Sequence, residues 1–269
     1  MRLREAVLRW RDLANIGRKP KTQKYHAEIA GIILARLRTN KALEAINQID
    51  LSEFVLEIAH YCPTRFNAVV GAIKKILPQA RFIPRRPVTI RERYTLNQDE
   101  FSLLLAECDR RPRSHVGLIV RFLSHTGLRI GAARQLKWSD VQADGIKVPG
   151  SIQKNGKVCI VPFVNGTIEI LSRLKAITGD GEFILPQKEC KRSLDSACRC
   201  AGLPHLSHHD FRHLFATRCI ESGVDVPTAA RWLGHRDGGA LLSKVYFHLL
   251  NPHSRAMAAK VRIDSGQTK

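Results

Sequence analysis

Long apolar runs are missing from this chain. No stretch approaches the roughly 20 residues that a membrane-spanning helix requires, so insertion into a bilayer is not expected. The opening residues, Met1-Arg2-Leu3-Arg4-Glu5, lead into no apolar segment, and a secretory leader is not expected either. An even, regularly spaced set of cysteines is missing too. The seven cysteines are odd in number and scattered, which excludes a disulfide framework and favours reduced thiols in a cytoplasmic setting. Cys190, Cys198 and Cys200 lie near His205, His208 and His209 in sequence, but a Cys-x2–4-Cys pair is absent, so no familiar zinc finger is present and idle or buried thiols are expected. Internal repeats and low-complexity tracts are lacking. Acidic residues are scarce: 24 Asp and Glu face 44 Lys and Arg, a net charge of +20. Such a bias calls for a polyanionic partner, with nucleic acid as the first choice.

The excess charge is not a basic tail. Residues 1–94 carry 19 Lys/Arg against 8 Asp/Glu, or +11, and the remaining 175 residues carry 25 against 16, or +9. Both parts are therefore expected to touch a phosphate backbone, as the two arms of a clamp would.

Hydrophobic residues make up 44% of the 269 residues, enough to bury a core in one large domain or two modest ones. Residues 1–20 are basic with weak periodicity. From Thr22 a helical pattern runs through Tyr25, Ile29, Ile32, Ile33 and Leu37, and a short helix is expected over 41–48. Ser52 is a candidate cap for a third helix, and Pro63 suits the first turn of a fourth that carries Phe66, Val69, Val70, Ile73 and Leu77. Arg65, Lys74 and Lys75 on this last helix are expected to face DNA. The segment Ala80 to Pro87 holds two prolines and three arginines and reads as an extended basic linker running to about residue 94.

Asn97 followed by Glu100 is a capping-box pattern that opens the second domain. Ser114 is a candidate cap for the next helix, which Gly127 ends, leaving Arg129 just past a tight turn. Residues 145–163 are rich in β-branched side chains and are interrupted by Lys154-Asn155-Gly156-Lys157, a hairpin signal. Helices are expected again at 167–177, 191–201, 209–222 and 226–233, with one more around Tyr246. The predicted organisation is a helical bundle over 1–80, a linker over 81–94 and a second domain over 95–269. The fold class is mainly α, the second domain being α+β with a small sheet or hairpin.

Tyrosine is also scarce: after Tyr94 the only one is Tyr246, eleven residues past Leu233-Gly234-His235. Phosphodiester cleavage needs a nucleophile, stabilisation of the non-bridging oxygens and a proton for the leaving oxygen. Arg129 and Arg212 are candidates for the second task, because a guanidinium can bind two phosphate oxygens and keeps its charge. His209 and Arg212 are three residues apart on a predicted helix, so their side chains share a face, and the histidine can relay a proton. Lys154 at the hairpin tip is a candidate acid, with Lys157 as its local rival. Tyr246 is the candidate nucleophile, in need of help from a base or a cationic site.

Taken together these residues resemble the tyrosine recombinase (phage integrase and Xer) family. Thr126-Gly127-Leu128-Arg129-Ile130 through Leu136-Lys137-Trp138-Ser139-Asp140 is similar to the segment around its first arginine, and Lys154-Asn155-Gly156-Lys157 through Val161-Pro162 to its hairpin lysine and following strand. His209-Asp210-Phe211-Arg212-His213 matches its His-x-x-Arg box. Leu233-Gly234-His235 and Val245-Tyr246-Phe247-His248 match the last two boxes. The likeness extends from about 95 to 250; the first bundle resembles the family's core-binding domain in architecture only.

The resemblance implies a C-shaped clamp on double-stranded DNA target sites. Arg129 and Arg212 would hold the scissile phosphate, Lys154 would protonate the departing 5′ oxygen, His209 would act as general base and His235 would hydrogen-bond a phosphate oxygen. Tyr246 would form a 3′-phosphotyrosine bond, and strand exchange would pass through a Holliday junction in a homotetramer, or a hetero-tetramer with a related recombinase. No cofactor is implied, neither ATP nor metal. The family usually has Glu or Asp three residues after its first arginine; here that position is Ala132. Two rivals stand beside this reading: a type IB topoisomerase, which shares the chemistry, and a DNA-binding regulator that keeps the fold with weak or no catalysis.

Overall fold

The computed structural model describes residues 1–37, 41–89, 94–111, 115–153, 156–187, 190–234 and Gly239. The chain divides into two compact units, Met1–Glu92 and Arg93–Lys269.

The first unit is a bundle of four helices, α1 (Leu3–Asn15), α2 (Pro20–Arg36), α3 (Gln48–Glu57) and α4 (Pro63–Ile76). Helix α1 occupies the segment whose periodicity is weak. It buries Leu3, Ala6 and Val7 at i, i+3 and i+4, while the charged Arg4 and Glu5 between them and Arg9 and Arg11 beyond mask the stripe. Each fully buried aliphatic side chain of this kind contributes about 1.5–3 kcal/mol. Proline opens both α2 and α4, where a missing amide costs nothing. The helix expected over 41–48 is only a 3-10 turn at Leu43–Ala45. Asn47, and not Ser52, caps α3: its side chain accepts from the Asp50 amide while Asp50 accepts from the Asn47 amide. Ser52 lies inside the helix and donates to the Gln48 carbonyl, so the capping box one turn upstream sets the boundary.

The start of the expected linker packs on the bundle. Pro78–Phe82 form a 3-10 turn, and Ala80 and Ile83 are buried with Val69, Ile73 and Leu77. Asn67 and Arg86 exchange two hydrogen bonds of 2.8 Å, and the Arg86 guanidinium sits 3.9 Å over the Phe66 ring. Arg65 reaches Glu28 at 3.3 Å.

The second unit begins with α5 (Gln98–Asp109), capped by Asn97 and Glu100 as the sequence predicts. Helix α6 (Val116–Thr126) follows, then the four-residue α7 (Ile130–Ala133), the strands β1 (Gly145–Val148) and β2 (Cys159–Pro162), and the helices α8 (Thr167–Thr178), α9 (Lys191–Cys200), α10 (His208–Glu221) and α11 (Val226–Trp232). Ser114, the expected cap of α6, lies outside the described residues. The strands pair antiparallel with Gly145 opposite Pro162 and Val148 opposite Cys159. Pro149 ends β1, and a 3-10 turn at Gly150–Ile152 follows, so the connection is longer than the tight Asn-Gly turn the sequence suggests.

Two cores meet at α10. Phe211 and Leu214 join the large core built from α5, α6, the sheet, α8 and α9, whereas Phe215, Cys219 and Ile220 pack on Ala229, Ala230 and Leu233. The mainly α fold with a small sheet is that expected. Among the described residues no helix is long and apolar enough to cross a membrane.

Candidate active site

Helix α6 is buried along most of its length and stops at Gly127, which adopts φ +62°, a left-handed conformation that glycine enters without penalty. The glycine is needed for space as well. A Cβ there would lie 2.4 Å from Phe215 Cδ1 and 2.6 Å from Leu233 Cδ2. Thr126 fixes the same turn: its hydroxyl donates to the Phe122 carbonyl at 2.7 Å and accepts from the Leu128 amide at 3.4 Å. The chain leaves this turn with Arg129 as the N-cap of α7.

Arg212 lies on α10 at the junction of the two cores and is 4% exposed. Its Nη1 donates to the Gly127 carbonyl at 2.8 Å, and its Nη2 to the Leu233 carbonyl at 2.7 Å. One guanidinium thus ties the turn before Arg129 to the end of α11, next to Gly234 and His235. Arg129 is half-buried, and that burial lowers it from the ordinary guanidinium value, opposed by the nearby Cys159. It keeps its charge throughout the physiological range.

Cys159, the first residue of β2, brings these parts together. Both Arg129 and Arg212 act on its thiol electrostatically. Gln153 is buried and donates from Nε2 to Cys159 Sγ at 3.0 Å, and that sulfur lies 3.8 Å from the Trp232 carbonyl. Burial raises the thiol above its usual value, against the Gln153 hydrogen bond and the two arginines, so it stays protonated at neutral pH. Sequence reasoning missed Cys159 and Gln153. The available signal was a polar, uncharged residue immediately before Lys154, at the end of a β-branched run.

Ser207 caps α10, with Asp210 completing the box. His209 is exposed one turn before Arg212, and its ring meets that of His213 edge-on at 4.8 Å. Ala132 is buried in α7, its amide donating to the Arg129 carbonyl at 2.9 Å. Lys154, His235 and Tyr246 lie outside the described residues. Of the predicted residues, then, Arg129 and Arg212 share a neighbour, and His209 stands on the helix that carries Arg212.

The cysteines and histidines near residue 200 do not converge. Cys190 Sγ meets His208 Nε2 at 3.1 Å, Cys200 accepts from Arg111, His205 pairs with Asp195, and Cys198 is buried in the core. Among the described residues no group of three or more His, Cys, Asp or Glu is placed to hold a metal ion. All seven cysteines are free thiols.

Residues 94–253 match the Phage integrase family, and the chain belongs to it. It is 28% identical over 200 residues to tyrosine recombinase XerA of Saccharolobus solfataricus, an alignment covering 70% of this chain and 66% of that protein. Other curated relatives are matched over a smaller share, 46% of XerC from Corynebacterium glutamicum among them, so the chain spans less than two thirds of their length. In fold it resembles a lambda integrase (75-356) dimer bound to a COC' core site, with a TM-score of 0.75, 21% identity and coverage of 88% of this chain and 96% of that one.

Proposed function

We propose that this chain is a site-specific DNA recombinase or integrase that cleaves and rejoins duplex DNA through a 3′-phosphotyrosine intermediate. The observation that carries this reading is Arg212, fixed on the Gly127 and Leu233 carbonyls, which ties α10 to the turn that leads into Arg129. A guanidinium held in this way is preorganised for charge that develops on a phosphate, because no reorientation is needed at the moment of reaction.

In this reading Arg129 and Arg212 clamp the scissile phosphate, and the Tyr246 oxygen attacks phosphorus in line. His209 takes the phenolic proton, Lys154 gives a proton to the departing 5′ oxygen and His235 hydrogen-bonds a non-bridging oxygen. Attack by a 5′ hydroxyl of another strand reverses the step and releases Tyr246. One phosphodiester is exchanged for another, so the energy stays in the covalent bond and neither ATP nor a metal is invoked. The partner is double-stranded DNA, in keeping with the +20 charge. Assembly as a tetramer on two sites follows by analogy with a neighbour in fold, a lambda integrase tetramer bound to a Holliday junction (TM-score 0.74, 20% identity, 88% of this chain and 78% of that one). Seven free thiols favour the cytoplasm.

The test uses nicked suicide duplexes built from a genomic fragment library. An SDS-resistant protein–DNA adduct is expected with the wild type and is lost in Tyr246→Phe. Tight binding with no adduct from any fragment would replace this reading with that of a DNA-binding regulator, the rival that buried Ala132 favours. Relaxation of supercoiled plasmid without a defined site would point to a topoisomerase.

A further inference from the structure

Gln153 and Cys159 stand on either side of the segment that carries Lys154 and Lys157. Gln153 follows the 3-10 turn after β1, and its backbone amide donates to the Gly150 carbonyl at 3.1 Å. The two sides of the connection touch at this point, because a Cβ on Gly150 would meet the Gly156 carbonyl oxygen. Gln153 is 6% exposed, although a glutamine between two strands ordinarily faces water. Its Nε2 donates to Cys159 Sγ at 3.0 Å, and sulfur is a weak acceptor.

The same sulfur lies 3.8 Å from the Trp232 carbonyl, and the next carbonyl along α11, that of Leu233, accepts from Arg212 Nη2 at 2.7 Å. A chain of contacts therefore runs from Arg212 through the end of α11 and Cys159 to the residue immediately before Lys154. Burying an amide against sulfur gives up stronger hydrogen bonds to water. A leucine of similar size would fill the space without that loss, so packing alone does not account for the amide.

We propose that Gln153 is a positioning residue for Lys154: its amide, anchored on Cys159, fixes the backbone from which Lys154 delivers a proton to the departing 5′ oxygen. In that step the Tyr246 oxygen bonds to phosphorus and the bond from phosphorus to the 5′ oxygen breaks. The 5′ oxygen keeps the electron pair and takes a proton from the Lys154 ammonium, while the phenolic proton goes to His209. A small displacement of the acid would slow protonation of the leaving oxygen without changing the rest of the step. The inference deepens the proposed function and rests on it.

The test uses the full chain and the suicide duplex on which the wild type forms its adduct. The duplex is made in two forms, one with the ordinary 5′ oxygen at the cleaved bond and one with sulfur in its place. A thiolate leaves without an acid, because a thiol ionises at roughly pH 8.5 and an alcohol far higher. On the oxygen duplex Lys154→Ala should slow adduct formation by about 100-fold or more. Gln153→Leu and Gln153→Asn should each slow it by about tenfold or more, the second because its amide is one methylene too short to reach the sulfur of Cys159. On the sulfur duplex all three variants should return to within about threefold of the wild type. Adding Gln153→Leu to Lys154→Ala should slow the oxygen duplex no further, because the amide acts through the lysine. The inference is overturned if the Gln153 variants stay slow on the sulfur duplex, which makes the residue structural, or if they are not slow on the oxygen duplex. It is also overturned if sulfur rescues Lys157→Ala and not Lys154→Ala. Adduct formation by the wild type is scored first. No adduct on any fragment removes the recombinase reading and this inference with it, whereas an adduct without sulfur rescue of the Gln153 variants removes this inference alone.

Discussion

Gly127 and Phe215 touch so closely that a Cβ on the glycine would fall 2.4 Å from the ring, on a backbone already at φ +62°. Gly127→Ala therefore combines left-handed strain with overpacking. It is expected to destabilise the second unit by about 3 kcal/mol. Urea denaturation followed by tryptophan fluorescence measures the loss, and an unchanged midpoint would refute the packing described for this turn.

Arg212→Lys keeps the charge but cannot serve both carbonyls, at Gly127 and Leu233, with a planar fork. Adduct formation on the suicide duplex is expected to fall by about 100-fold or more. Stability should fall as well, by roughly 1–3 kcal/mol for the abandoned carbonyl. Loss of cleavage with unchanged stability would mean that the two backbone contacts carry no structural weight.

Cys159→Asp would set a carboxylate at a position that both Arg129 and Arg212 influence electrostatically. The acid would compete with phosphate for both guanidinium groups. Cleavage should drop by about 100-fold, while Cys159→Ser, similar in size and uncharged, should stay within about tenfold of the wild type. Equal losses in the two variants would show that packing, and not charge, is what matters at this position.

Burial pushes the thiols of Cys108 and Cys219 up to about 12. Below the unfolded thiol value both states are protonated and these groups add no pH dependence. Above it only the unfolded chain ionises them, so stability falls as pH rises toward the folded values. Between about pH 9 and 10 the loss is about 1 kcal/mol for each thiol. The double variant Cys108→Ala, Cys219→Ala should show a flatter alkaline limb in urea titrations than the wild type; identical limbs would count against their burial.

The net charge of +20 predicts steep salt dependence. With six or more phosphates neutralised, affinity for duplex DNA should fall by at least about 1,000-fold between about 50 and 200 mM salt. Fluorescence anisotropy across that range gives the slope, and a flat response would argue against extensive backbone contact.

Local chemistry made much of the fold legible. Asn97 with Glu100, Pro63 and Gly127 mark element ends through caps and backbone geometry that act over a few residues, and the structure places each where the sequence puts it. Helix α1 was hidden because arginines interrupt its apolar stripe, although Leu3, Ala6 and Val7 suffice once a bundle exists to bury them. At α3 two residues could have capped, and Asn47 prevails over Ser52 because Asp50 returns its hydrogen bond. For the site, residue types at the right spacing singled out Arg129, His209 and Arg212. Spacing could not reveal that Arg212 holds carbonyls 85 and 21 residues away, or that both arginines act electrostatically on Cys159, since those are products of tertiary packing.

The double grip of Arg212 on Gly127 and Leu233 also limits how this protein can be dissected. A side chain that serves as a structural strut cannot be removed to give a clean chemical knockout. Under the proposed function, inactive controls are therefore expected to be cleaner when a single hydroxyl is deleted, as in Tyr246→Phe, than when position 212 is altered. By the same logic, natural variation at position 212 should be constrained twice, once by chemistry and once by folding.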